Sequence, residues 1–205
     1  MKIKVCGISN VKEVEIVTAH GADFCGFILN YPKSHRHISY EQACSLTKIK
    51  KINTKYVGVL VNPTKNELSK FSKIDLDYFQ LYGDYKNEEI LEIKEKYKKK
   101  IIMTIQVEKE SDVLKYKDIE RYSDIILWDS SGLEKSISWN FDWINLVPKN
   151  ITKMLAGNIN LNNLEKLSKI ADIVDVSGAL ETNKVKDINK INQFLQTVKK
   201  INEKN

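Results

Sequence analysis

The chain has little glycine and less proline, 8 and 3 of 205 residues. That excludes collagen-like and low-complexity architectures. It has 3 cysteines, Cys6, Cys25 and Cys44. Three thiols cannot all pair, and no two have metal-ligand spacing, so neither a disulfide scaffold nor a zinc ribbon is expected. Reduced thiols fit a cytosolic compartment. No apolar run approaches the roughly 18 residues of a membrane span. Residues 1–7 alternate lysine with apolar side chains, which is a strand pattern and not the apolar centre of a signal peptide. A soluble, cytoplasmic protein is expected.

What is present is a chain that is 42% hydrophobic and 29% charged, enough to bury a full core. Lysine and arginine number 33 against 27 acids, a net charge of +6. Much of the excess is lysine on helical faces, as at Lys94, Lys96, Lys98, Lys99 and Lys100, and reads as a solvated surface. No zinc-finger, RNP or KH pattern accompanies it, so no nucleic-acid partner is expected. A mildly positive field suits a small anionic ligand.

Short β-branched runs alternate with longer amphipathic stretches along the whole chain. The runs cover residues 2–8, 23–29, 56–61, 78–81, 101–106, 124–129, 152–156 and 172–177. Helical patterns follow at 10–20, 39–52, 65–71, 86–97, 111–122, near 141–146, 161–170 and 187–201. Such alternation implies parallel βαβ units. Eight units over residues 1–205, with no gap for a second domain, predict a single (β/α)8 TIM barrel with eight parallel strands. An open doubly wound sheet would carry a Gly-rich phosphate loop after its first strand. That position reads Cys6-Gly7-Ile8-Ser9-Asn10, and no Walker motif occurs. Asn10 suits a helix N-cap, and Ser39 with Gln42 suits a capping box.

Barrels of this kind place their chemistry on the loops at the C-terminal ends of the strands. Cys6 ends the first strand, and a cation or helix terminus beside it would have to lower its pKa before it served as a base. The alternative is a small buried hydrophobe, which is the reading for Cys25 and Cys44. Asp129 ends the run Ile125-Ile126-Leu127-Trp128. Alternation puts it on the side of Leu127, opposite Ile126 and Trp128. Facing apolar groups there, it would hold a proton and donate it; otherwise it caps a turn. Arg36 can clamp a carboxylate with two parallel hydrogen bonds, or be a surface arginine. His35 and His37 beside it read as loop residues. Gly157-Asn158 and Ser177-Gly178-Ala179 end the last two strands, where many barrels bind phosphate through backbone N–H groups.

As a set, these residues resemble the phosphoribosylanthranilate isomerase family. Lys4-Val5-Cys6-Gly7-Ile8 is similar to its K-I-C-G-I/L opening. Tyr31-Pro32-Lys33-Ser34-His35-Arg36 is similar to Y-x-K-S-x-R, and Val57-Gly58-Val59-Leu60-Val61-Asn62 to G-V-F-V-N. Gln80-Leu81-Tyr82-Gly83-Asp84 is similar to Q-L-H-G-D/N, Leu155-Ala156-Gly157 to the start of L-A-G-G-L, and Asp175-Val176-Ser177 with Glu181 to parts of V-D-V-S-S-G-V-E. The resemblance runs the length of the chain.

It implies an Amadori rearrangement in tryptophan biosynthesis, with Cys6 as general base and Asp129 as general acid. It makes Arg36 the clamp on the anthranilate carboxylate, and it makes Gly157, Asn158, Ser177, Gly178 and Ala179 the phosphate site. Gln80 and Asp175 join the substrate-binding set. No cofactor or metal is called for, and a monomer is expected over a dimer. The chain departs from the family at Tyr82, where His is usual, at Asn158 and Ala179, where the motifs have glycine, and in residues 132–143, which keep F-D-W but lose a glycine-rich stretch. These changes leave room for a barrel acting on another phosphorylated sugar, or for a non-catalytic homologue.

Overall fold

A computed structural model describes residues 1–130 and 138–204. Eight parallel strands close into a barrel in the order β1 to β8, with β1 (Lys2–Cys6) paired to both β2 (Phe24–Ile28) and β8 (Ile173–Val176). The others are β3 (Lys55–Val61), β4 (Tyr78–Tyr82), β5 (Lys100–Val107), β6 (Ile125–Ser130) and β7 (Lys153–Leu155). No described helix is long and apolar enough to cross a membrane.

Helices fill the crossovers where the apolar spacing called for them. They are α1 (Val11–Ala19), α2 (Tyr40–Leu46), α3 (Lys65–Phe71) and α4 (Asn87–Tyr97), and, closing the chain, α7 (Ile188–Lys204). Asn10 caps α1 by accepting from the Glu13 N–H, and Ser39 with Gln42 forms the expected capping box of α2. The second half is less regular. The helix expected over 111–122 is a 3₁₀ helix, Glu110–Lys115, running into a single turn, α5 (Tyr116–Ile119). That expected over 161–170 is one turn, α6 (Leu164–Leu167), and α2 stops short of residue 52. Apolar periodicity marks the buried face of a segment; it does not distinguish α from 3₁₀ hydrogen bonding.

A four-fold device closes the N-terminal end of the barrel. Asp23, Asp77, Asp124 and Asp172 each directly precede an even-numbered strand. Each carboxylate accepts a backbone N–H at the start of the preceding odd strand: Ile3, Tyr56, Ile101 and Lys153, at 2.8–2.9 Å. Each tie satisfies an N–H that the parallel ladder leaves unpaired at its end.

Alternation sorts the side chains. Outward residues such as Phe27, Phe79 and Trp128 pack beneath the helices. Inward residues at the lower end, among them Phe24, Val57, Tyr78, Ile102, Leu127 and Met154, form a buried apolar plug. Above it the interior turns polar, with Lys4, Gln80, Thr104 and Asp175 all buried. A packed apolar floor therefore lies below a polar upper layer at the C-terminal end.

Candidate active site

The upper layer opens into a cavity at the C-terminal ends of the strands. Cys6, Arg36, Asp129, Gly157, Asn158, Asp175, Ser177, Gly178 and Ala179 all line it. Gln80 does not. It is fully buried and donates through Nε2 to the Tyr82 hydroxyl at 3.3 Å.

Cys6 lies beside a buried ion pair. Lys4, two residues earlier on the inward face of β1, has no solvent exposure and holds Asp175 Oδ2 at 2.8 Å. Gly26 on β2 makes room for this arrangement, since a Cβ there would meet Cys6 Sγ at 2.9 Å and Lys4 Nζ at 3.1 Å. Burial pushes the thiol up, and the Lys4 ammonium acts against it. Asp175 keeps Lys4 in its charged form despite burial. Burial outweighs that charge, so the thiol is not lowered as the sequence reading required, although the cation beside it is Lys4. Only its place two residues before Cys6 on one strand could have disclosed it.

Asp129 faces the cavity on the side of Leu127, while Ile126 and Trp128 pack outward. Burial pushes its carboxyl group up to about 6, and the nearby Asp175 charge adds to this. Its Oδ1 accepts the Ser130 N–H at 2.8 Å, and its Oδ2 accepts the Tyr82 hydroxyl at 2.8 Å.

Arg36 crosses the mouth above Gly7, whose φ of +77° and missing Cβ are both needed, since a Cβ would run into the Arg36 side chain. The guanidinium is engaged along one edge by Glu181. Nε donates to Oε1 at 2.5 Å and Nη2 to Oε2 at 3.0 Å. His35, a loop residue as expected, meets the same carboxylate at 3.1 Å. Lys186, nearly buried, donates to Glu181 Oε1 at 2.6 Å and to the Ser177 carbonyl and hydroxyl at 3.1 Å. Burial pushes the Glu181 carboxyl up, but Arg36 and Lys186 outweigh it and hold it at about 2. Glu181 and Lys186 come from a two-stranded hairpin, β9 (Glu181–Thr182) with β10 (Val185–Lys186). The strand periodicity gave no sign of it.

In the expected phosphate region, Gly157 and Asn158 have φ of +98° and +52°. Asparagine is one of the few residues that tolerates this conformation, so Asn158 can stand where the family motif has glycine. Ala179 is not among the positive-φ residues. It lies in a 3₁₀ turn, Gly178–Leu180, and strains nothing. Trp139 Nε1 donates to the Ala156 carbonyl, and Asn158 Nδ2 to Ser138 Oγ, both at 2.9 Å. The lost glycine-rich stretch falls on residues 132–137, outside the described residues.

A closed parallel barrel with a floor of apolar side chains, and with titratable groups from separate strands gathered at one mouth, is the architecture of a (β/α)8-barrel enzyme. Comparison with known proteins narrows the class. The family model described as "N-(5'phosphoribosyl)anthranilate (PRA) isomerase" matches residues 3–197, and the chain belongs to this family. It is 34% identical to the N-(5'-phosphoribosyl)anthranilate isomerase of Streptococcus mutans, over 97% of this chain and 99% of that one. In fold it is similar to the phosphoribosyl anthranilate isomerase of Thermus thermophilus, with a TM-score of 0.87, 23% identity, and 98% and 100% of the two chains covered. It is also similar to a phosphoribosyl anthranilate isomerase solved in complex with reduced 1-(o-carboxyphenylamino)-1-deoxyribulose 5-phosphate. There the TM-score is 0.82 and the identity 27%, with 98% and 99% covered.

Proposed function

We propose that this chain catalyses the Amadori rearrangement of N-(5'-phosphoribosyl)anthranilate to 1-(o-carboxyphenylamino)-1-deoxyribulose 5-phosphate, a step of tryptophan biosynthesis. The observation that carries the reading is one cavity lined by a thiol from β1, a carboxyl group from β6, an arginine from the loop after β2 and small residues after β7 and β8.

Asp129 protonates the furanose ring oxygen. The C1'–O bond breaks as the anthranilate nitrogen lone pair forms an iminium. The Cys6 thiolate takes the C2' proton, and the electrons of that bond neutralise the iminium to give an enolamine. Proton return to C1' and loss of the C2' hydroxyl proton complete the aminoketose. The reaction is redox-neutral overall and needs no cofactor. Arg36 receives the anthranilate carboxylate, its plane held by Glu181. Backbone N–H groups at Asn158, Gly178 and Ala179 receive the phosphate. Asp175 Oδ1, which makes no hydrogen bond within the described protein, accepts from a sugar hydroxyl.

The base must be deprotonated and the acid protonated. Asp129 titrates near 6 and the thiol is pushed up by burial, so thiolate with carboxylic acid is the minor form of the singly protonated site. The rate is therefore expected to be bell-shaped in pH, rising above about 6 and falling as the thiol titrates.

The test generates the substrate in place from anthranilate and phosphoribosyl pyrophosphate and follows the decay of its fluorescence. Wild type should accelerate the decay. Asp129→Asn and Cys6→Ser should each lose roughly 10²-fold or more. A folded wild type without turnover would sink the proposal and turn the search to other phosphorylated ligands. Near-wild-type turnover in Cys6→Ser would remove that residue as the base.

A further inference from the structure

We propose that Tyr82 is a positioning residue for Asp129: its hydroxyl fixes the carboxyl group and, by donating to it, sets how readily the acid releases its proton. The inference deepens the proposed isomerase and rests on Asp129 acting as its acid. Tyr82 stands where the family motif that the sequence resembles has His.

The geometry is a short relay across the upper barrel. Gln80 and Tyr82 share the inward face of β4. Gln80 Nε2 donates to the Tyr82 hydroxyl, which donates to Asp129 Oδ2 at 2.8 Å. Oδ1 is held by the Ser130 N–H, so each carboxyl oxygen accepts one hydrogen bond, and Asp129 lines the cavity. Tyr82 packs with Cys6 and Val59 and is 9% exposed, so water competes poorly for its hydroxyl. The phenol cannot ionise in this setting, because burial and the Asp129 charge push it well above its ordinary value. It therefore remains a donor throughout the catalytic pH range.

A donor in place before the proton leaves stabilises the carboxylate that forms, which strengthens the acid. The other groups around Asp129 are Asp175 from β8, which opposes ionisation, and Lys4 from β1, which favours it. Cys6 from β1 and Arg36 line the same cavity, and the uncharged Gln106 of β5 is its register neighbour. Of these, Tyr82 and the Ser130 N–H are the donors in contact with the carboxyl group.

The experiment is a 13C NMR titration of the Asp129 carboxyl carbon in the ligand-free protein, assigned with Asp129→Asn, in wild type, Tyr82→Phe and Tyr82→His. Tyr82→Phe keeps the ring and removes the donor. Its midpoint should rise by about one pH unit. Tyr82→His restores a ring N–H donor and should bring it down again. The pH profile of kcat/KM should carry the same displacement in the limb that reports Asp129, with KM little changed. An unchanged midpoint in Tyr82→Phe overturns the proposal. So does a midpoint raised equally in Phe and His, which would make the effect one of packing. Wild type without isomerase turnover would refute the proposed function, while the carboxyl titration would still decide the role of Tyr82.

Discussion

Cys6, Arg36 and Asp129, the residues proposed to act on substrate, each lean on a neighbour. Lys4 supplies the charge beside the thiol, Tyr82 holds the carboxyl group, and Glu181 orients the guanidinium. Two glycines complete the set. Gly26 admits Cys6 and Lys4 side by side, and Gly7 lets Arg36 lie across the strand end. Arg36→Met should raise KM roughly ten-fold or more, the worth of charge-assisted hydrogen bonds to a carboxylate, and lower kcat less. Steady-state kinetics check this, and an unchanged KM would remove Arg36 from the substrate site.

Among the elements, the hairpin β9–β10 reaches from the end of β8 to the loop after β2 through Glu181. Its carboxyl group, held at about 2 against an ordinary 4.5, favours the folded state above pH 4.5. That contribution is lost as pH falls from 4.5 toward 2. Asp112, held near 2 by Lys115 and two backbone N–H groups against burial, acts in the same sense. Asp129, pushed up to about 6, acts oppositely: it favours folding at low pH and loses that as pH rises through 6. Glu181→Gln should therefore be less acid-sensitive than wild type. Urea midpoints between pH 5 and 3 should fall less steeply in the variant, and parallel slopes would show the network contributes nothing to stability.

On the scale of the whole molecule, an apolar floor and four carboxylate ties make the lower barrel a rigid base for a polar upper layer. The exposed large apolar side chains among the described residues, Val11, Ile52, Leu91, Leu146, Leu161 and Val185, come from six different elements and connections. Single exposed apolar residues are normal on a monomer. Sedimentation velocity should give one species near 23.7 kDa at micromolar concentration. A species of twice that mass would show that an interface is assembled from these surfaces.

Strand and helix order was legible in the sequence because side-chain periodicity reports directly which face is buried, and α3 runs over the residues its pattern marked. The inward direction of Asp129 followed from the same alternation, opposite Trp128. That Cys6 and Arg36 lie at the cavity was legible because they fall in motifs after β1 and β2. What is absent from any local pattern is partnership across the barrel. Lys4 meets Asp175, 171 residues away, Arg36 meets Glu181 and Tyr82 meets Asp129. Gln80, expected to touch substrate, instead sits beneath Tyr82. The sequence by itself determined the eight units and which side chains point inward. Only closure of the barrel decided which inward side chains touch, because strand register brings together residues that no sequence interval relates, and burial among those particular charges sets their protonation.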